Sequence, residues 1–129
     1  MNGFEPATLM RIFVDEDDRF DKRPLYMAIV DELRRNGFAG ATVLKGIEGF
    51  GSHRELHAAR SFDLSTNLPV LVEVAAPEAE INAMIPKLRE MIPEGLITLE
   101  RIAMRLITRD VAPQAQPRDG WTSGSLPSD

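Results

Sequence analysis

Residues 24–45 read PLYMAIVDELRRNGFAGATVLK, a stretch that predicts a helix followed closely by a strand. Proline suits the first turn of a helix, because the N–H that it lacks would have no partner there. Apolar residues then recur at the i, i+3, i+4 and i+7 spacing of one helical face, at Tyr26, Ile29, Val30 and Leu33. Gly37 suits the left-handed conformation that often follows the last turn. Residues 41–45 (ATVLK) are apolar and β-branched enough to form the strand.

The flanking sequence supplies the remaining elements of one domain. Residues 8–14 (TLMRIFV) and 68–74 (LPVLVEV) predict strands. A second helix opens at Pro77, and we expect Pro86 to kink it. Residues from Leu96 to about Arg109 predict a long fourth strand or a strand with an extension. The order β-α-β-β-α-β predicts a ferredoxin-like α+β fold, in which right-handed crossovers place both helices on one face of a four-stranded antiparallel sheet.

The sheet face opposite the helices carries large apolar residues. Alternation along the first and third strands places Leu9, Phe13 and Leu71 on the same side as charged residues. Such a face indicates burial against another subunit. The alternative is an ordinary solvated face with scattered apolar residues.

The composition is typical of a globular protein, with 43% hydrophobic and 27% charged residues in a chain of 129. This length fits one domain, which we place at residues 1–109. Residues 110–129 are rich in proline, glycine and serine. They bury too little apolar surface to order themselves and therefore predict a flexible C-terminal tail.

Charge and composition argue against several classes of partner. The formal net charge of −5 opposes nonspecific binding to nucleic acid. The absence of cysteine removes disulfides, thiolate metal sites and cysteine nucleophiles. No apolar run approaches the roughly 20 residues that cross a bilayer, and residues 1–6 lack the pattern of a signal peptide. We therefore expect a cytoplasmic protein without direct membrane insertion.

The stretch from Gly40 to Gly51 (GATVLKGIEGFG) is the candidate ligand site. Here a strand leads into a glycine-rich turn, whose backbone can approach a ligand closely and whose N–H groups can bind an anion. A polar loop follows instead of the helix that a dinucleotide fingerprint or a P-loop requires. The predicted ligand contacts are Lys45, Gly46, Gly49, Phe50, Gly51 and Arg54.

Metal binding and catalysis are weaker hypotheses. His53 and His57, with Glu55 between them, are the candidate metal ligands, but two histidines in a polar loop are more often solvated or anion contacts. The carboxylates at residues 15–18 form a run that is typical of a solvated loop. No nucleophile with a base, and no pair of carboxylates in a cleft, calls for an enzyme.

Four stretches, in order, resemble one known family: residues 23–26 (RPLY), 40–51, 68–70 (LPV) and 95–98 (GLIT). They resemble the PII-like family known as domain of unknown function 190 (DUF190), over about residues 7–109. The middle stretch is also similar to true PII proteins, in which a Thr-Val strand and a Gly-Phe-Gly turn open a long mobile loop.

The resemblance implies a compact homotrimer with ligand clefts between its subunits. Those clefts hold adenine nucleotides in true PII proteins, and the loop, here residues 52–67, docks onto transporters or enzymes. This sequence differs from true PII proteins at two places. Residues 93–96 read PEGL where true PII proteins carry a lysine-bearing glycine loop that contacts phosphates, and the one tyrosine, Tyr26, lies in the first helix instead of the loop.

Our interpretation of the sequence is a PII-like regulatory protein, not an enzyme. It binds a small anionic ligand, with an adenine nucleotide as the candidate, and signals through its loop to a membrane transporter or channel. The alternatives are a structural trimeric adaptor without a ligand, a small ferredoxin-fold enzyme and a metal-binding protein.

Overall fold

The computed structural model describes residues 3–51, 57–58 and 67–109. The main elements are strand β1 (Glu5–Asp15), helix α1 (Leu25–Arg35), strand β2 (Thr42–Lys45), strand β3 (Pro69–Ala76), helix α2 (Glu78–Met91) and strand β4 (Leu96–Met104). Two short antiparallel pairs join Arg19–Phe20 to Arg23–Pro24 and Glu48–Gly49 to His57–Ala58. The main elements follow the predicted order.

The four long strands form one sheet in the order β2-β3-β1-β4. Every neighbouring pair is antiparallel. Strand β1 is central, with Ile12 opposite Val72 of β3 on one side and Ile97 of β4 on the other. This is the ferredoxin-like α+β arrangement that the sequence predicts.

The core lies between one face of the sheet and the two helices. Alternate residues of β1 and β3 point into it, at Met10, Ile12, Val14, Val70, Val72 and Val74. The helices contribute Leu25, Ala28, Ile29 and Leu33 from α1 and Ile81, Met84, Leu88 and Met91 from α2. Every second residue of β1 and β3, and residues at helical spacing in α1 and α2, thus pack together in one apolar layer.

The end of α1 fixes the path of the chain into β2. Gly37 has a φ of +84°, the left-handed conformation that its position predicts. Its N–H donates to the carbonyl of Arg34 at 3.1 Å, and the N–H of Phe38 donates to the carbonyl of Leu33 at 3.1 Å. Phe38 then folds back into the core, where it is 4% exposed.

Three details of the elements bear on the sequence predictions. Strand β4 ends at Met104, because its last partner, Glu5, is the first residue of β1, so residues 105–109 extend beyond the strand. Helix α2 runs to Met91 with Pro86 inside it, as the sequence predicts, and the kink at Pro86 stays a prediction. The predicted polar loop after β1 contains a hairpin, Arg19–Phe20 with Arg23–Pro24. The predicted flexible tail at residues 110–129 lies outside the described residues.

Candidate ligand-binding site

The site begins where β2 ends, at Lys45 and Gly46. The N–H of Gly46 donates to the carbonyl of Pro69 at 2.8 Å, which ties the end of β2 to the start of β3. Glu48 and Gly49 then pair with Ala58 and His57 respectively. The connection between β2 and β3 therefore starts as a two-stranded ribbon that continues from the sheet edge.

The acidic residues after β1 form a structured turn against this ribbon. The N–H of Asp15 donates to Oδ2 of Asp18 at 2.9 Å, and the N–H of Asp18 donates back to the carbonyl of Asp15 at 3.1 Å. Glu16 donates its N–H to the carbonyl of Leu68 at 2.8 Å. Asp17 donates its N–H to Oδ1 of Asn67 at 2.8 Å. The turn thus holds the residues that precede β3.

Lys45 lies beside this turn, and its ammonium bonds to a carboxylate from it. Nζ of Lys45 is 2.6 Å from Oε2 of Glu16. This hydrogen bond lowers the pKa of the Glu16 carboxyl and raises the pKa of Lys45. Both side chains remain accessible, at 28% for Glu16 and 49% for Lys45. The predicted anion-binding lysine therefore has an internal partner that a ligand can reach.

The three glycines of the turn face different surroundings. A Cβ at Gly46 would lie 2.9 Å from Cγ of Pro69, and a Cβ at Gly49 would lie 3.1 Å from the same atom. A Cβ at Gly51 would have no atom of the described residues within 4 Å. Gly46 and Gly49 thus let the turn pack against the Pro69 ring, while no described residue fills the space beside Gly51.

Two apolar side chains near the turn point into solvent. Ile47 is 78% exposed and Phe50 is 66% exposed. Phe50 is a predicted ligand contact, and its exposed ring is free to stack on a planar ligand or to pack against a partner. Ile47 adds apolar surface on the same short ribbon.

The other predicted site residues fall largely outside the described part of the chain. Arg54 and the metal candidate His53 lie outside it, and His57 is described only as a strand residue. Within residues 3–51, 57–58 and 67–109, no cluster of histidines and carboxylates is arranged to hold a metal ion.

The face of the sheet opposite the helices is here called the open face. One row of apolar residues, one from each strand, crosses it from edge to edge. Register places Leu44, Leu71, Phe13 and Leu96 side by side across the four strands. Their exposure reaches 57% at Leu96, 49% at Leu44 and 38% at Phe13. This row matches the exposed apolar face that the sequence predicts.

An ion-pair network lies beside this row on the open face. Nε of Arg11 is 2.9 Å from Oε2 of Glu73, and its NH1 atom is 3.0 Å from Oε1 of Glu100. The bond to Glu73 is the main reason that the pKa of Arg11 is raised, and the bond to Glu100 adds to it. The charges on this face thus satisfy one another.

Sequence reasoning missed two residues of the site, Glu16 and Pro69. Glu16 belongs to a carboxylate run that resembles a solvated loop, and its partner Lys45 is 29 positions away. The sequence pattern places Pro69 only at the start of a strand. The signal in the sequence that points to Pro69 is the pair of glycines, Gly46 and Gly49. A Cβ at either position would lie close to the Pro69 ring.

Among the described residues, no helix is both long and apolar enough to span a membrane.

The chain is similar to several proteins of known sequence. A UPF0166 protein from Methanocaldococcus jannaschii is 42% identical over 94 residues, which cover 72% of this chain and 86% of the relative. A UPF0166 protein from Aquifex aeolicus is 35% identical over 94 residues, which cover 73% of this chain and 89% of the relative.

Solved structures of CPII, a nitrogen regulatory PII-like protein from Thiomonas intermedia K12, have a similar fold. The form bound to ADP, AMP and bicarbonate has a TM-score of 0.54 and 18% identity, over 78% of this chain and 90% of that one. The form bound to ADP and bicarbonate has a TM-score of 0.51 and 17% identity over the same 78% and 90%. At this identity the likeness concerns the fold, which is PII-like. The family model described as Uncharacterized ACR, COG1993 matches residues 7–104, and the chain therefore belongs to the DUF190 family, as its sequence predicts.

Proposed function

We propose that this protein is a PII-like regulatory protein, not an enzyme, which binds a small anionic ligand at clefts between the subunits of a homotrimer. The observation that carries the proposal is the turn after β2, in a chain with a PII-like fold. Lys45 supplies an accessible positive charge, Gly51 leaves room for close approach, and Phe50 offers an exposed ring.

An adenine nucleotide is the first candidate for the ligand. Its phosphates suit an ammonium and exposed backbone N–H groups, and its base suits stacking on an aromatic ring. The CPII structures, which have a similar fold, are named as complexes with ADP, AMP and bicarbonate. Bicarbonate is a second small anion to test on these grounds.

The open face supports the homotrimer. A row of exposed leucine and phenylalanine side chains crosses the sheet beside a mutually paired set of charges. Apolar surface of this kind is expected to be covered by another subunit. In a ring of subunits the edge of one sheet, where β2 and the turn lie, comes next to a neighbour, which creates a cleft at the turn.

The signal passes to a target through the connection between β2 and β3. This connection starts at the turn, so ligand occupancy and the connection share residues 46–51. A cytoplasmic location and a membrane transporter or channel as target follow from the resemblance to PII proteins. Ligand binding can shift the connection only if the ligand prefers one of its states.

Thermal unfolding against a panel of anions tests the proposal. The panel contains ATP, ADP, AMP, cyclic AMP, cyclic dinucleotides and bicarbonate, with and without Mg²⁺, and light scattering gives the mass in the same samples. A ligand at about 100 times its Kd should stabilise the native state by roughly 2.7 kcal/mol. A monomeric mass, or a trimer indifferent to every anion, would contradict the proposal.

Two lysine variants separate the site from general charge effects. Lys45→Met should abolish the thermal response, because it removes the ammonium at the turn. Lys87→Met is the matched control: Lys87 is an accessible lysine on α2 whose ammonium lies 3.5 Å from Glu90. Its response to the ligand should match that of the wild type.

A structural adaptor without a ligand is the second candidate. The hydrogen bond between Lys45 and Glu16 favours it, since the lysine already has a partner. An intact trimer that no anion stabilises would support the adaptor over the sensor.

A further inference from the structure

The ion pair at the base of the turn places a carboxylate where an anionic ligand would bind. Glu16 accepts a hydrogen bond of 2.6 Å from the Lys45 ammonium. A charge-assisted hydrogen bond is intrinsically stronger than a neutral one, although exposure to water keeps its net contribution to stability small. Any anion that binds Lys45 directly must therefore compete with Glu16 for the same donor.

The carboxylate is well placed for this competition because its backbone is held. The N–H of Glu16 donates to Leu68 at 2.8 Å, and the next residue, Asp17, donates its N–H to the side chain of Asn67 at 2.8 Å. The turn is also closed internally by the bond from Asp15 to Asp18. Glu16 thus reaches Lys45 from a fixed position, so little ordering is needed to form the pair.

The pair is nevertheless accessible from solvent. The side chains of Glu16 and Lys45 are 28% and 49% exposed. An exposed ion pair contributes little to stability, so its partner can be exchanged without unfolding the domain.

We propose that Glu16 is an internal competitor of the anionic ligand, which occupies the ammonium of Lys45 until the ligand displaces it. The inference rests on the proposed function and adds its regulation. Because the backbone at Glu16 is bonded to Leu68, the exchange takes place at the joint between the connection and β3. Only ligands with enough negative charge to displace a carboxylate occupy the site, so Glu16 sets a threshold for ligand charge.

Titration calorimetry on three full-length proteins tests the inference, with ATP and inorganic tripolyphosphate as probes. The variant Glu16→Gln keeps the shape and the backbone bonds of residue 16 but lacks the competing charge. Its affinity for both probes should rise about five- to tenfold over the wild type. Tripolyphosphate has no base, so its affinity reports the competition for the Lys45 ammonium separately from any recognition of adenine.

The matched control is Asp17→Asn, which removes the same charge from the adjacent, exposed residue of the turn. It should change either affinity by less than about twofold, since the exposed carboxylate of Asp17 acts on the site through water, whose high dielectric constant weakens the interaction. An equal rise in both variants would reduce the effect to general electrostatics and overturn the inference. An unchanged or weaker affinity in Glu16→Gln would also overturn it, because Glu16 would then position Lys45 instead of competing for it.

Failure of the proposed function has a different signature. If neither the wild type nor Glu16→Gln binds either probe or any anion of the thermal-unfolding panel, the anion site itself is refuted, and the inference with it. If the wild type binds and Glu16→Gln binds no better, only the inference is refuted. Circular dichroism of each variant establishes that the fold is retained.

Discussion

Gly46 and Gly51 lie in one glycine-rich turn, yet a methyl group would meet different surroundings at the two positions. At Gly46 an added Cβ would come within 2.9 Å of Cγ of Pro69, whereas none of the residues that the structure describes lies within 4 Å of one at Gly51. The Pro69 ring is rigid, and its carbonyl accepts the N–H of Gly46. The two residues cannot separate without stretching that hydrogen bond, so Gly46 is a packing residue.

We expect Gly46→Ala to lower the free energy of unfolding by about 1–2 kcal/mol, because the added methyl group overpacks the contact with Pro69. Gly51→Ala is the control. It should stabilise the protein by less than about 1 kcal/mol, since it restricts the unfolded chain and meets no neighbour. Urea unfolding followed by circular dichroism measures both. Equal losses in the two variants would contradict the assignment of Gly46 to packing.

Glu16 makes stability depend on pH on the acid side. Folding lowers its pKa below the ordinary value of 4.5, chiefly through the hydrogen bond from Lys45. Its contribution to stability is therefore complete above pH 4.5 and is lost as the pH falls through the lower, folded-state pKa. Folding also raises the pKa of Lys45 above 10.5, so the contribution of Lys45 persists below that pH.

The wild type should therefore melt above Glu16→Gln at pH 7, by at most about 4 °C for such an exposed pair. This difference in Tm should shrink as the pH is lowered below 4.5 towards 3. Thermal unfolding across this range measures the difference in Tm. The same comparison in a Lys45→Met background, with and without Glu16→Gln, should show no such dependence on pH. A difference in Tm that stays constant down to pH 3 would count against the ion pair as its cause.

The candidate site shows which of its residues can be identified from the sequence alone. Lys45 and the glycines stand next to one another, so their spacing alone suggests an anion-binding turn. Glu16 is 29 positions from Lys45, and only the antiparallel pairing of β1, β3 and β2 brings the two side chains together. Local spacing carries no information on that contact, and a run of carboxylates at residues 15–18 is typical of a solvated loop.

At the scale of elements, the helices were predictable because burial and period agree. Of the four residues on the predicted face of α1, Ile29 and Leu33 are buried, and Tyr26 and Val30 are partly buried against the core. The end of β4 was not predictable from its own residues, since apolar and β-branched residues continue to Ile107 and Thr108. The strand stops at Met104 because β1 begins at its partner, Glu5.

Helix α2 offers a test of how a whole element tolerates a proline. Pro86 lies inside Glu78–Met91 on an exposed position, where it cannot donate to the carbonyl of Asn82. We expect Pro86→Ala to raise the free energy of unfolding by about 1–2 kcal/mol, because it restores that bond and removes a steric clash while no buried contact is lost. Pro93→Ala, outside the helix, is the control and should not stabilise the protein. Urea unfolding decides between them, and a less stable Pro86→Ala would show that the proline is required.

At the scale of the whole molecule, the open face is a feature that the fold of one chain does not explain. Leu44, Phe13 and Leu96 are too exposed for a core, yet register aligns them in one row. Beside them, Arg11 bonds to Glu73 and Glu100, so these charges are already paired within the single chain. Covering this face with another subunit would therefore bury apolar surface without leaving an isolated charge on Arg11.

The variant Phe13→Asp tests whether this face assembles the protein. The wild type should have a mass of about three times the 14.4 kDa chain by size exclusion with light scattering. Phe13→Asp places a charge in the middle of the apolar row, and we expect monomers that retain the circular dichroism of the fold, because Phe13 is 38% exposed in the single chain. Met27→Asp changes a residue of similar exposure, 49%, on helix α1, away from the open face, and should leave the trimer intact. If Phe13→Asp remained trimeric, or if Met27→Asp dissociated instead, the interface would lie elsewhere and the cleft at the turn would lose its structural basis.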